Sequence, residues 1–83
     1  MEISQTAQNV LRVLTAVGSG ERRAVDITRA TGQNRTVVAR MLATLLEEEY
    51  VRREGFEYHP GPALTRLTRA PGLSLVSRAR AVL

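Results

Sequence analysis

Apolar residues along the chain fall into groups whose spacing changes from one segment to the next. Over residues 4–17, Ala7, Val10, Leu11, Leu14 and Val17 recur at intervals of three and four, the signature of one face of a helix. Ser4 suits an N-cap, Ile3 stands ready to pack on the first turn, and Gly18-Ser19-Gly20 ends the segment. Leu14 and Val17 are expected to face the core. Val13 falls off this stripe and is expected at the surface, open to a partner. Residues 24–31 form a shorter helical segment with Ala24, Ile27, Thr28 and Ala30 inward, closed by Gly32, where a left-handed cap costs least. A third helix is expected over residues 35–48, with Asn34 as its N-cap and Val38, Met41, Leu42, Leu45 and Leu46 as its buried stripe. Its other face is Arg35, Thr36, Ala39, Arg40, Ala43 and Thr44.

At Tyr50 the period switches from helical to alternating. Residues 50–53 and 56–59 flank Glu54-Gly55, read as the two-residue turn of a hairpin. That turn would set Val51 opposite Tyr58 and Arg52 opposite Glu57, with Arg53 and Phe56 beside the tip. Glu21-Arg22-Arg23 is a charged connector with room for one short strand beside the hairpin. Pro60-Gly61-Pro62 ends the sheet. Residues 63–69 allow one or two helical turns carrying Leu64 and Leu67, Pro71-Gly72 breaks them, and residues 73–83 form an amphipathic helix bearing Leu75, Val76, Ala79, Val82 and Leu83. The fold expected is mainly α with a small β-hairpin. It is a winged helix-turn-helix, with a three-helix core, a wing of two or three strands and a C-terminal linker helix. Residues 1–62 would be a DNA-binding domain and residues 63–83 a linker and dimerisation helix.

Bulk properties narrow the function. Eighty-three residues make one domain with a thin core, so a partner subunit is a natural source of extra stability. The net charge is +4, and all 12 basic residues are arginine. Two causes fit arginine over lysine: the match of its fork to phosphate and guanine, and the codon bias of a GC-rich genome. The sign of the charge points to an anionic partner. With no cysteine and one histidine, neither disulfides nor a metal site is expected, and no cofactor is implied. No apolar run approaches the ~20 residues of a membrane span, and the N-terminus lacks the features of a signal peptide, so the expected location is the cytoplasm, away from membranes. Glycine-rich phosphate loops, paired carboxylates and a Ser-His-Asp set are all missing from the pattern, and His59 reads as a packing or surface residue, so no enzyme is expected. A single candidate exposed aromatic, Phe56, is too little for an RNA stacking platform.

The reading that uses most of these features is binding of double-stranded DNA. Arg35 and Arg40 are the candidates for guanine O6 and N7, and Thr36 for a phosphate or a thymine methyl. Ala39 lets the helix approach the groove closely. Gln33 and Asn34 stand at a helix N-terminus, which attracts phosphate. Arg52 and Arg53 would hold the wing to the backbone, and Arg22 and Arg23 would clamp phosphate ahead of the second helix. Glu47-Glu48-Glu49 opposes the helix dipole and either keeps that end off phosphate or is simply solvated. A homodimer is expected, paired through the first helix and residues 73–83. The alternative is a winged-helix protein-interaction module without DNA binding, in which the acidic triplet and the Val13 surface would carry the contact.

Three segments resemble the N-terminal DNA-binding domain of the IclR-family bacterial transcriptional regulators. Residues Asp26-Ile27-Thr28-Arg29-Ala30-Thr31-Gly32 are similar to the family's second-helix pattern Glu-Leu-Ala-x-x-Thr-Gly. Residues Arg35-Thr36-Val37-Val38-Ala39-Arg40-Met41-Leu42 resemble Lys-Ser-Thr-Val-x-Arg-Leu-Leu of the recognition helix. Tyr50-Val51-Arg52-Arg53 with Tyr58-x-x-Gly61-Pro62 resembles the wing and its exit. The resemblance runs from the first helix through Pro62. It implies a winged helix-turn-helix that binds DNA. The chain departs from the pattern at Gln33, where an apolar residue is usual, at Arg23, where a Ser or Thr cap is usual, and at Glu49, where a Gly usually closes the helix. A left-handed Glu49 would cost about 1 kcal/mol. The wing is also shorter. The resemblance further implies a large C-terminal effector domain that these residues do not include, so the chain is expected to be either a DNA-binding fragment or a small regulator without a sensor. Its apolar end inclines toward the fragment.

Overall fold

A computed structural model describes residues 1–69. Its elements run in the order α1 (Gln5–Gly18), α2 (Ala24–Thr31), α3 (Arg35–Glu47), β1 (Val51–Glu54), β2 (Glu57–Pro60) and α4 (Pro62–Arg69). This is a winged helix-turn-helix, mainly helical, with a two-stranded antiparallel wing. The helix expected over residues 73–83, and with it half of the expected dimer contact, lies outside the described residues.

Each helix begins and ends where its local chemistry requires. Ser4 Oγ accepts from Ala7 N–H at 3.3 Å, and Asn34 Oδ1 accepts from Thr36 and Val37 N–H at 2.8 and 3.3 Å, satisfying amides that have no partner inside their helices. Gly32 closes α2 at φ 67°, its N–H donating to Thr28 O at 2.9 Å. The left-handed turn there costs glycine little and sends the chain straight into α3. Glu49 closes the turn after α3 at φ 66°, so the conformation that a glycine would favour is carried by a side-chain residue.

The core is aliphatic. Val13, Ala16 and Val17 of α1, Ile27 of α2, Val38, Met41, Leu42 and Leu45 of α3, and Val51 of β1 pack as one cluster, with Tyr50 and Tyr58 half-buried at its edge. Two expectations for α1 are corrected. Val13 is fully buried, and Leu11 is 61% exposed. Both the stripe through 7, 10, 11 and 14 and the stripe through 10, 13, 14 and 17 have helical spacing. Docking against both α2 and β2 selects the second, turning Val13 inward and Leu11 out. In α2, Ala30 is exposed, and only Ile27 is fully inside.

The hairpin also differs from expectation. Its pairs are Val51 with Pro60, Arg52 with His59, Arg53 with Tyr58, and Glu54 with Glu57. The loop is therefore Gly55-Phe56, not Glu54-Gly55. A turn on Glu54-Gly55 of the favoured hairpin kind would need Glu54 at positive φ. With Gly55 first, at φ 60°, only the glycine takes that conformation. The change slides β2 by two residues, so each side chain keeps its face while its partner changes. Among the described residues no third strand forms. The backbone of Arg22 instead makes one bond to β2, Tyr58 N–H donating to Arg22 O at 2.7 Å, and its side chain adds another.

Gly61 is the tightest joint. A Cβ there would lie 2.4 Å from Glu49 O and 2.9 Å from Val51 backbone atoms. Its own N–H donates to Tyr50 O, and Ala63 N–H donates to Glu49 O, both at 2.9 Å. The exit of the wing is thus laced backbone to backbone onto the end of α3. Pro62 then opens α4, a position where its missing N–H costs nothing.

Candidate nucleic-acid interface

The residues expected to meet DNA separate into three groups once placed on the fold. The first is the outer face of α3. Arg35, Thr36, Ala39, Arg40, Ala43 and Thr44 are all exposed, while Val38, Met41, Leu42 and Leu45 on the opposite face are buried. That division follows from the 3.6-residue period, which sets Arg40 one turn beyond Thr36. Among the described residues no carboxylate lies within 4.0 Å of Arg35 or Arg40. Thr44 turns its hydroxyl back on its own helix, donating to Arg40 O at 3.0 Å. The face that remains is short-chained and carries two guanidinium groups free of described carboxylates. Asn34 is exposed at its N-terminus but already uses Oδ1 as the cap.

The second group faces inward. Arg22 Nη1 donates to Val17 O at 3.1 Å and Tyr58 O at 3.0 Å, joining the end of α1 to β2. Gln33 Nε2 donates to Asn9 O at 3.0 Å, tying the α2–α3 turn to α1. Both residues are half-buried. A polar side chain in the place of an apolar one gives Gln33 this bond across the core edge. Its buried Oε1 has no hydrogen-bond partner. Arg23 is exposed beside Arg22 and precedes α2 without a side-chain cap bond.

The third group is the wing, and its two faces differ. Antiparallel partners share a face, so Arg53 and Tyr58 lie with Val51 and Pro60, and Arg52 and His59 lie with Glu54 and Glu57. Arg53 Nε donates to the tip carbonyl of Gly55 at 2.7 Å, and its guanidinium carbon sits 5.8 Å from the Tyr58 ring centre. No carboxylate lies within 4.0 Å of Arg53 among the described residues. Arg52 instead bonds the Glu54 carboxylate, and His59 Nε2 lies 3.4 Å from Glu54 and 3.3 Å from Glu57. The hydrogen bond from Arg52, then its charge, hold the Glu54 carboxyl below the usual carboxylate range, with a smaller pull from His59.

The acidic triplet after α3 resolves in part. Glu49 accepts from Arg66 of α4 at 3.0 Å, an exposed pair that bridges the two ends of the wing. Glu47 and Glu48 are solvated. Sequence reasoning had no signal for the inward use of Arg22 and Gln33, because both partners are backbone carbonyls brought close only by the fold. Among the described residues no helix is long and apolar enough to cross a membrane, and no group of acids and histidine has the arrangement of a metal site.

The sequence pattern of the IclR helix-turn-helix domain matches residues 6–55. Among solved structures, a Silicibacter sp. TM1040 protein assigned to the IclR transcriptional regulators superposes with a TM-score of 0.73 at 33% identity. The match covers 94% of this chain and 33% of that one. An O-methyltransferase of neocarzinostatin biosynthesis, solved with S-adenosyl-L-homocysteine, superposes with a TM-score of 0.61 at 22% identity over 83% of this chain and 23% of its own. At that identity the likeness shows the fold alone. No curated protein matches the sequence. The chain spans about a third of the length of the IclR regulator it resembles.

Proposed function

The chain belongs to the IclR helix-turn-helix family, and we propose that it is the sequence-specific DNA-binding domain of a transcriptional regulator. The observation that carries this is the outer face of α3: a capped helix, buried on one side, that presents Arg35 and Arg40 free of carboxylates between short side chains. Helix α3 enters the major groove, where Arg40 and Arg35 read guanine edges and Thr36 meets a phosphate or a thymine methyl. Ala39 and Ala43 set the distance of approach. Asn34 fixes the helix start at the groove edge, and Arg23 adds a phosphate contact. Arg53 holds the wing to the backbone, with Arg52 contributing less because Glu54 already balances it. Arg22 and Gln33 act through position, locking α1 to the wing and to the α2–α3 turn.

The regulator acts as a homodimer, in the bacterial cytoplasm where its DNA lies. Leu11 and Ile3 are 61% and 74% exposed on the α1 side. Pairing of α1 against its symmetry mate would cover them and set two copies of α3 on one site, in grooves about 34 Å apart. Selection of bound sequences from random duplexes tests the proposal. A palindromic consensus supports specific dimeric reading, whereas binding with no consensus leaves only charge-driven association. Sedimentation with the selected duplex checks stoichiometry, and a strict one-to-one complex removes the dimer.

A further inference from the structure

The chain's only phenylalanine stands on the tip of the wing. Phe56 is the second residue of a two-residue loop and is 75% exposed, while both tyrosines are half-buried against the core. The backbone of the loop beneath it is tied in place. Gly55 takes the positive φ, and the Arg53 guanidinium bonds the Gly55 carbonyl while lying over Tyr58. Among the described residues the wing's other large apolar side chains, Val51 and Tyr58, are buried or half-buried, so Phe56 stands there without an exposed apolar patch around it. A protein interface buries such a patch, and a lone ring amid charges does not supply one.

We propose that Phe56 is a minor-groove wedge. The proposal rests on the DNA-binding reading and extends it to a residue outside the basic set. Arg52 and Arg53 are both tied back to the hairpin, to Glu54 and to the Gly55 carbonyl, which leaves Phe56 as the untethered side chain of the tip. Alternation puts the carboxylates of Glu54 and Glu57 on the His59 face and Arg53 on the other. The tip therefore offers a phenyl beside a guanidinium that has no carboxylate partner. That pairing matches a narrow groove with apolar sugar and base-step surfaces between two rows of phosphate. A turn whose backbone is already tied, carrying a side chain with only two rotatable bonds, loses little freedom when it enters, so its contact survives as affinity. Base steps that unstack easily, TA and CA/TG, would be favoured beneath it. Phe56 would thereby set a sequence preference outside the positions read by α3.

The test uses the whole 83-residue chain, a duplex selected from random DNA, and the same duplex with 2-aminopurine at the steps under the wing. The wild type should raise fluorescence at one wing-side step. Phe56→Ala should bind about tenfold more weakly, lose that signal and the step preference, and keep the salt slope, because no charge is removed. Phe56→Leu, which keeps an apolar wedge, should recover much of the affinity. The ring is uncovered, so the thermal midpoint of Phe56→Ala should match the wild type and exclude misfolding. Wild-type affinity and fluorescence in Phe56→Ala, with the parent still binding, would overturn the wedge and leave the DNA reading standing. Duplex binding by neither protein would remove both. A change in self-association of the free Phe56→Ala protein would assign the ring to a protein contact and overturn the proposal.

Discussion

The outer face of α3 and the wing carry equal numbers of the proposed basic contacts, yet their charges are not equally available. Arg35 and Arg40 have no described carboxylate within 4.0 Å, whereas the wing carries Glu54 and Glu57 beside its arginines and pairs Arg52 with Glu54. Within the wing the same contrast repeats between adjacent residues. Alternation turns Arg52 toward the acids and Arg53 toward Tyr58. Counting arginines therefore overstates the wing. A paired exposed guanidinium brings less net field to a phosphate than a free one, because its partner carboxylate repels the same phosphate.

The contrast breaks most completely if the wing is unseated. Gly61→Ala forces a Cβ into Glu49 O and Val51, and should destabilise the fold by about 1–3 kcal/mol, read as a lower denaturant midpoint. If the two regions are energetically separable, residual binding by this variant should keep the base preferences of α3 and lose part of the salt dependence. Unchanged stability would show that the joint relaxes without strain.

Arg40→Ala probes the other side. It should cost roughly 1–3 kcal/mol on the selected sequence and relax preference at one or two base positions. Equal losses on selected and random duplexes would reduce Arg40 to a phosphate contact, and the difference in kind between α3 and the wing would vanish. Smaller effects separate the wing arginines. Arg53→Ala should lower affinity for all duplexes and flatten the salt slope by about one unit, and Arg52→Ala by clearly less than one. Equal slopes in the two variants would mean that Glu54 releases Arg52 when DNA arrives.

The smallest effect concerns Glu54 itself. Glu54→Gln should tighten binding slightly by freeing Arg52. Its carboxyl is held low in the fold, so whatever stability it contributes is present above the unfolded-state value and is lost as pH falls through the folded value. The Glu54 side chain is exposed, and solvent screens that contribution. Over the same acid range, protonation of Glu54 should strengthen DNA binding, and Glu54→Gln should remove that part of the pH dependence in a titration of affinity.

Much of the fold was legible in one dimension. The caps at Ser4 and Asn34, the left-handed Gly32 and the buried stripe of α3 all express local chemistry, in which a residue's preference and its helical period agree. The left-handed Glu49 was foreshadowed only by the resemblance, which has a Gly at that place, and not by the residue's own preference. The outer face of α3 was legible because a single strong stripe on one side defines the other.

What escaped the sequence are choices between local solutions of similar quality. Apolar residues at 10, 11, 13, 14 and 17 allow two stripes on α1, and only packing against α2 and β2 selects the one that buries Val13. Two loops fit the hairpin, and they differ in whether a glycine or a glutamate takes the positive φ. The sequence alone determined that a capped, basic helix would stand on a small aliphatic core ahead of a tight hairpin. Tertiary structure decided which cations remain on the surface. It brought the carbonyls of Val17 and Tyr58 to Arg22, that of Asn9 to Gln33, and the carboxylate of Glu54 to Arg52. The reason is that a charge's availability depends on neighbours in space, and backbone carbonyls, which every residue carries, leave no mark in the sequence to show where they will converge.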